Sequence, residues 1–563
     1  MTEPPTLTGS FRTDLRARAA FAEGAGIYRI VPEAVATPTD LPDLQRLVRW
    51  AGESGTGLIP RGAGSGIPGG SVGPGVVVQL GELPRKLEID PAARTARTTP
   101  GVSFAELDSA AKPLGLRLPP NPSSSGWASL GGMVSTNASG ARSLRYGSVR
   151  PWVRGLEVVG AEGEVFRMVR RSDGQTVGRS DGRNHSAAFP SIGPSVRLSA
   201  IAPALRAASD LIRRRFPRTR KNSSGYALDA WLESGDDLDL FIGAEGTLGI
   251  ITEISWRLDP IPAAHASLLL ALPSLDDLEA AVTPLLRLQP SAVELLDRTF
   301  LDLVQSSGAP GALPPIAPGT EAVLIVEFER EDTASARSAV GDAVRATTGI
   351  ASDVLTALNV VEEQRLWAMR HAASPILAGL PAERRSMQVI EDGCVPLARL
   401  GEYIRAVRNA AKTRGLLVVI FGHAGDGNVH VNVLPELARS DWRAQIAGLM
   451  DEVNQAAIEL GGTLSGEHGD GRLRAGWLER QYGGEIVALF REVKAAFDPR
   501  GIFNPGVILG ENAPALTQLK VGPDAAPLPD DIALALREIE RTGGYGRDRL
   551  EIADGPGESR EER

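Results

Sequence analysis

The loop Pro60-Arg61-Gly62-Ala63-Gly64-Ser65-Gly66-Ile67-Pro68-Gly69-Gly70 constrains the fold more than any other stretch of the chain. It follows a strand-like run at residues 56–60, and its glycine spacing invites a dinucleotide-fold reading. In that fold the loop opens a helix whose N-terminus faces the pyrophosphate. Here Gly73-Pro74-Gly75 comes next, and residues 75–80 then read as a second strand. No helix starts there, so a Rossmann unit is excluded. What remains is a run of small residues whose backbone N–H groups can form an anion nest, the other way to hold a pyrophosphate.

Two further segments share this character. Residues 119–140 (PPNPSSSGWASLGGMVSTNASG) offer hydroxyls, an amide and close-approach glycines, with Ser129, Gly132, Thr136, Asn137 and Gly140 as candidate cofactor contacts. Residues 241–252 (FIGAEGTLGIIT) add Gly246, Ile250 and Ile251. Three such stretches before residue 260 are more than turns require.

With 563 residues the chain exceeds one ordinary core. A helix is predicted at 43–51, and helix and strand patterns resume beyond Pro260-Ile261-Pro262 with a strand at 268–272 and a helix at 276–288. Residues 171–200 read as an aperiodic excursion, and residues 511–563 as a tail with one helix at 530–541. Sixty Lys+Arg against 69 Asp+Glu give a net charge of -9, which argues against nucleic acid as a partner. The basic run 213–221 departs from this balance and reads as a solvated face. The single cysteine, Cys394, excludes an internal disulfide and a chain-ligated iron–sulfur cluster. The N-terminus shows no signal pattern, and no apolar stretch reaches the roughly 20 residues of a membrane span. A cytoplasmic location is expected, with peripheral membrane association left open.

Three of the six histidines fall in two glycine-rich motifs. A strand-like run at 416–421 leads into Gly422-His423-Ala424-Gly425-Asp426-Gly427-Asn428-Val429-His430, and residues 431–434 continue as a strand. Asp-Gly-Asn signals a hairpin, which brings His423 near His430. Gly461-Gly462-Thr463-Leu464-Ser465-Gly466-Glu467-His468-Gly469-Asp470-Gly471-Arg472 adds a carboxylate and a third imidazole. Two His and one Glu suit Zn²⁺, Mn²⁺ or Fe²⁺ with positions open for substrate. Read alone, these residues suit a metal-dependent hydrolase equally well. For a substrate carboxylate, Arg370 is the candidate because a guanidinium can hold it bidentately, with Asn432 a second candidate. His371 has no assigned place; His185, His265 and Cys394 read as packing or surface residues.

The three small-residue segments resemble the FAD-binding domain of the vanillyl-alcohol oxidase (p-cresol methylhydroxylase) superfamily. GHAGDGNVH, SGEHGDG and the closing FDPRGIFNPG at 497–506 resemble the D-lactate, glycolate and D-2-hydroxyglutarate dehydrogenases. The resemblance, over residues 30–510, implies an α+β fold. A two-subdomain FAD-binding domain (1–260) would be followed by an α+β substrate or cap domain with an antiparallel sheet (261–490), a segment closing onto FAD (491–510) and a C-terminal tail (511–563). It places the FAD pyrophosphate on Arg61, Gly62, Ala63, Gly64 and Ser65, and Asn504 near the flavin ring. Ser65 stands where covalently flavinylated members carry a histidine, so non-covalent FAD is expected. His423, His430 and Glu467 become metal ligands and His468 the general base.

The implied activity is oxidation of a small D-2-hydroxy acid by metal-assisted proton removal and hydride transfer to flavin N5. Dicarboxylate-using relatives carry a lysine shortly before the proline that corresponds to Pro396; Gln388-Val389-Ile390-Glu391-Asp392 has none. D-lactate or glycolate is favoured over D-2-hydroxyglutarate. Electrons would pass to a separate acceptor: a quinone, a cytochrome, an iron–sulfur partner protein or dioxygen.

Overall fold

The computed structural model describes residues 3–171, 194–307, 316–510 and 516–555. Strands β1 (Ser10–Arg12), β2 (Ala34–Thr37), β3 (Leu58–Arg61) and β4 (Val76–Gln79) form one sheet in the order β1-β2-β4-β3. Helix α1 (Leu15–Ala20) follows β1, and α2 (Leu41–Ser54) supplies the crossover that a parallel β2-to-β3 progression needs. Asp40 caps α2 by accepting the Asp43 N–H, and Gly55 ends it at φ 70°. Leu44, Leu47, Val48 and Ala51, spaced as one helical face, pack with Val76 and Val78. Between β3 and β4 the chain makes turns and no helix, as the glycine loop requires.

A second sheet is antiparallel throughout: β5 (Leu87–Asp90), β6 (Thr95–Thr98), β7 (Val153–Val159), β8 (Val165–Val169) and β9 (Ile250–Arg257), ordered β5-β6-β9-β7-β8. Trp256 is fully buried in its core and donates its indole N–H to Thr98 Oγ1 at 2.9 Å. The short helix α3 (Leu130–Ser135) sits at the cofactor side, started by Ser129, which accepts the Gly132 N–H. Most of the excursion expected at 171–200 lies outside the described residues. Its end differs from expectation: a helix runs over Pro194–Ala207, with proline at its first position, where no N–H is needed.

The third sheet has seven strands: β10 (Ala264–Leu272), β11 (Ala292–Asp297), β12 (Ala322–Arg330), β13 (Asp353–Ala357), β14 (Gly393–Cys394), β15 (Leu417–His423) and β16 (Asn428–Leu434). Their order is β13-β10-β12-β11-β15-β16-β14, every pair antiparallel. Helices α4 (Val360–His371) and α5 (Ala373–Ala378) lie beside it.

Two boundaries differ from the sequence reading. Leu478, Tyr482, Ile486, Phe490 and Phe497 pack into the core of the second sheet, so the chain leaves the cap before residue 490. The expected tail is also built in. Helix α6 (Asp530–Thr542) and the helix Arg549–Asp554 bury Ile532, Leu536, Ile539 and Ile552 against Ala17, Ala20 and Phe21 of the N-terminal segment. The helix expected at 530–541 is present; its packing against the body of the protein is what the Pro-rich, charged composition did not show. No helix among the described residues is long and apolar enough to cross a membrane.

Candidate active site

The β15–β16 hairpin sets the centre of the site. Its register pairs Phe421 with His430 and His423 with Asn428 around a loop of four residues. Residues two apart on a strand share a face, so His423, Phe421, His430 and Asn432 all point to one side. On the neighbouring strand β11, Glu294 pairs with His423 and joins the same side. The other face carries Val418, Ile420, Val429, Val431 and Val433 into the cap core.

His423 Nε2 lies 3.3 Å from His430 Nε2 and 3.1 Å from Glu467 Oε1, and His430 Nε2 is 3.3 Å from the same oxygen. Metal–ligand distances of about 2.0–2.1 Å would separate ligand atoms by about 2.9–3.4 Å, so this triangle has the size of a coordination edge. The far ring nitrogens are fixed from outside. His423 Nδ1 meets Glu294 Oε1 at 2.6 Å, and His430 Nδ1 meets the Glu391 carbonyl at 2.8 Å. Bracing of this kind typifies imidazoles that offer Nε2 to a cation. Ligand-capable atoms of Asp392 and His468 belong to the same cluster, within 4.8 Å of His430 and Glu467. Asp392, however, is spent on the turn: it accepts the N–H groups of Glu467 and His468 and the hydroxyl of Ser465.

Glu467 is buried and anionic. Burial alone would raise its pKa, but Lys221, then His423, holds it well below the carboxylate range. Lys221 Nζ donates to Glu467 Oε2 at 2.9 Å, and the Ser139 hydroxyl donates to the same oxygen. Lys221, the end of the basic run read as a solvated face, is thus a buried counter-charge, itself pushed up by Glu467 and Asp426 against its burial. Glu294 is brought to about 2 by His423 and Arg370, again against burial. His430 also resists its burial: contacts with Glu391 and Glu467 push its pKa to about 10.

His468 stacks on His430 with ring centroids 5.1 Å apart, and its side chain is 27% exposed to the cavity. Its Nδ1 sits 2.6 Å from Glu391 Oε2, while Glu391 Oε1 accepts a hydrogen bond from Arg474 at 2.6 Å. Burial opposes a charge on His468, yet Glu391 and then Asp392 raise its pKa. Its Nε2 is left facing the cluster.

Arg370, on α4, donates Nε–H to Glu294 Oε2 at 2.8 Å and lies over the Phe421 ring. Its two terminal nitrogens have no hydrogen-bond partner among the described residues. Asn432 accepts from the Ser386 hydroxyl at 2.9 Å. His371 lies beside Trp367, 6.0 Å between ring centroids. His265 is surface-exposed and paired with Glu363, Cys394 is buried in the edge strand, and His185 lies outside the described residues.

One cavity of about 940 Å³ joins this cluster to the small-residue segments. Arg370, Asn432, His430, Glu467 and His468 line it, together with Arg61, Gly62, Ala63, Gly64, Ser65, Ser129, Gly132, Thr136, Gly246, Ile250 and Ile251. His423 stands behind His430. Asn137, Gly140 and Asn504 stand beside the cavity-lining residues and are not themselves in its wall. Asn137 takes φ 51°, Gly140 packs against the Asn121 carbonyl, and Asn504 Nδ2 ties the Gly70 carbonyl to that of Glu245. The Arg61 guanidinium turns away to the carbonyls of Phe21, Glu23 and Ser71, leaving the loop backbone at the cavity. Gly62 is required: a Cβ there would fall 2.0 Å from Ser129 Oγ. The N–H groups of Ala63 to Gly66 find no acceptor among the described residues, a nest that fits an anionic cofactor. The buried indole N–H groups of Trp127 and Trp367, also in the wall, have no partner either.

Comparison with known proteins agrees with this geometry. Residues 32–168 match the FAD binding domain family and residues 261–508 the C-terminal domain of FAD linked oxidases. The chain is 30% identical over 490 residues to the glycolate oxidase subunit of Bacillus subtilis, covering 86% of this chain and 91% of that one. It is 29% identical over 480 residues to a D-lactate dehydrogenase of Archaeoglobus fulgidus (84% and 91%), and 30% identical over 509 residues to a D-2-hydroxyglutarate dehydrogenase of Xanthomonas citri (87% and 92%). Among solved structures, 4-ethylphenol oxidase from Gulosibacter chungangensis shares the fold at TM-score 0.61 and 18% identity, covering 89% of this chain and 94% of that one. A two-part FAD-binding half, an antiparallel cap and identity of this extent lead to one placement: the chain belongs to the FAD-linked oxidases of the vanillyl-alcohol oxidase superfamily, on the branch that includes glycolate oxidase, D-lactate dehydrogenase and D-2-hydroxyglutarate dehydrogenase.

Proposed function

We propose that the protein oxidises a D-2-hydroxy acid to the 2-oxo acid, with D-lactate or glycolate as the favoured substrate. The observation that carries this reading is the convergence of His423, His430 and Glu467 beside a cavity that the Arg61–Ser65 loop also lines. Names of the relatives supply the substrate class and its handedness.

FAD held non-covalently on that nest would take the α-hydrogen as hydride at N5. A divalent Zn, Mn or Fe ion held by His423, His430 and Glu467 would lower the pKa of a hydroxyl beside it, as it lowers that of water from 15.7 to about 7. Everything else falls to the chain. Arg370 offers two free terminal nitrogens to the substrate carboxylate, its Nε anchored on Glu294. Asn432, steadied by Ser386, presents its amide to the same acid. His468 accepts the hydroxyl proton at Nε2 while Glu391 fixes Nδ1, so the base keeps one orientation. A metal-dependent hydrolase would use the same ligands but has no need of the second half of the cavity.

An anaerobic absorption spectrum tests this directly. The flavin band should bleach with D-lactate or glycolate, more slowly after chelation and far more slowly in H468A. Bleaching by D-2-hydroxyglutarate alone would move the assignment to that acid, and no bleaching by any 2-hydroxy acid would refute the reading.

A further inference from the structure

Residues 516–555 lie beyond both family matches, yet Glu540, Arg541, Thr542, Gly543 and Tyr545 line the cavity at its partly exposed mouth. They are tied down along their length. Lys520 N–H donates to the Ile27 carbonyl at 2.9 Å, Arg16 to the Ala553 carbonyl at 2.7 Å, and Arg12 pairs with Asp554 at 2.5 Å. Tyr545 stands 6.1 Å from Trp127, and Gly543 fits so closely that a Cβ would meet that indole at 2.5 Å. Helix α6 also touches α5 of the cap, so the strap spans both walls.

At this mouth stands an ion pair. Arg385 and Glu540 both line the cavity, and Arg385 donates to Glu540 Oε2 while Lys520 Nζ donates to Oε1 at 2.8 Å. Arg385 is one residue from Ser386, which holds Asn432, and Asn432 is two residues along β16 from His430, about 7 Å on the same face. Five arginines line the cavity; Arg61 is held by backbone carbonyls, Arg142 by Glu327 and Arg541 by Glu538, which leaves the buried Arg370, with free terminal nitrogens, and the more exposed Arg385, already paired with a carboxylate of the strap. An acid carrying a second carboxylate must compete with Glu540 for Arg385.

We propose that Glu540 is a specificity residue, an internal carboxylate that reserves Arg385 and so selects monoanionic over dianionic acids. This rests on the hydroxy-acid reading of the site, but its test does not require turnover. Glutarate and valerate, equal in length and not oxidisable here, are titrated into the FAD-loaded protein and binding is read from the shift of the flavin absorption band. E540Q frees Arg385 and Lys520, and the glutarate-to-valerate affinity ratio should rise at least tenfold. The double variant E540Q/R385Q should lose most of that gain. Should E540Q not hold flavin, R385Q leaves Glu540 held by Lys520 alone, with one cation fewer at the mouth, and the ratio should fall at least fivefold. A ratio within twofold of the wild-type value in the flavin-loaded variant overturns the proposal. A protein whose ratio shifts as expected but which no 2-hydroxy acid bleaches supports this selectivity and refutes only the reaction.

Discussion

His423 and Arg370 share one carboxylate: Glu294 Oε1 lies 2.6 Å from His423 Nδ1, and Oε2 accepts the Arg370 Nε–H at 2.8 Å. The candidate metal ligand and the candidate carboxylate clamp are thus fixed relative to each other by a single fully buried side chain. E294Q keeps the shape and removes the charge. Metal affinity should fall about 10–100-fold, the usual effect of losing an outer partner of a ligating histidine, and KM for the acid should rise with it. Metal content after dialysis, together with steady-state kinetics, checks this; unchanged metal and KM would show that the brace is dispensable.

Glu391 makes the corresponding bridge between His468 and Arg474. H468A should slow flavin reduction by about 10²–10⁴-fold, the range for losing a general base. E391Q should give a smaller loss in kcat with KM little changed, because it frees the base to reorient without touching the acid. Stopped-flow reduction of the flavin separates the two; equal rates in E391Q and wild type would remove Glu391 from the mechanism.

Metal binding should expel a proton. His430 is pushed up to about 10, so near neutral pH its Nε2 must be vacated before it can bind an ion. Apparent metal affinity should therefore climb as pH rises toward 10. Calorimetric titration of Mn²⁺ or Zn²⁺ into chelator-treated protein in two buffers of different ionisation heat measures the protons released, and zero release would contradict this picture.

Glu245 supplies a stability prediction. Burial, with Asp470 second, raises its carboxyl from 4.5 to about 8 although it accepts the N–H groups of Asp470 and Gly471. The folded state thus holds a proton that the unfolded chain releases. Its contribution is complete below 4.5 and is lost as pH rises through about 8. Thermal unfolding of wild type and E245Q across pH 5–9 should show a steeper decline in the wild type; parallel curves would refute the assignment.

The parts of the site legible in the sequence were those written locally. The loop at 60–70, the hairpin around Asp426-Gly427-Asn428 and the SGEH turn each bring their chemistry within a few residues, and the absence of a helix between β3 and β4 followed from Gly73-Pro74-Gly75. Glu294, Glu391, Lys221 and Ser139 were not legible. Glu294 arrives by strand pairing 129 residues from His423, and Lys221 by a contact 246 residues from Glu467. Nothing near them in sequence marks them as more than a strand acid or a surface lysine. Asn137 and Asn504 carry a backbone role the sequence did not show: both occupy left-handed positions where asparagine is tolerated, and Asn504 also ties the Gly70 carbonyl to that of Glu245.

The strap has a consequence for assembly. Arg12 and Asp554 meet across 542 positions of sequence, and the strap residues at the mouth follow every other cavity-lining residue in chain order. The other walls can therefore be in place before the strap is made, which leaves an interval in which a cofactor can load. A chain cut before residue 516 should take up FAD and also surrender it on dilution faster than the sealed protein does.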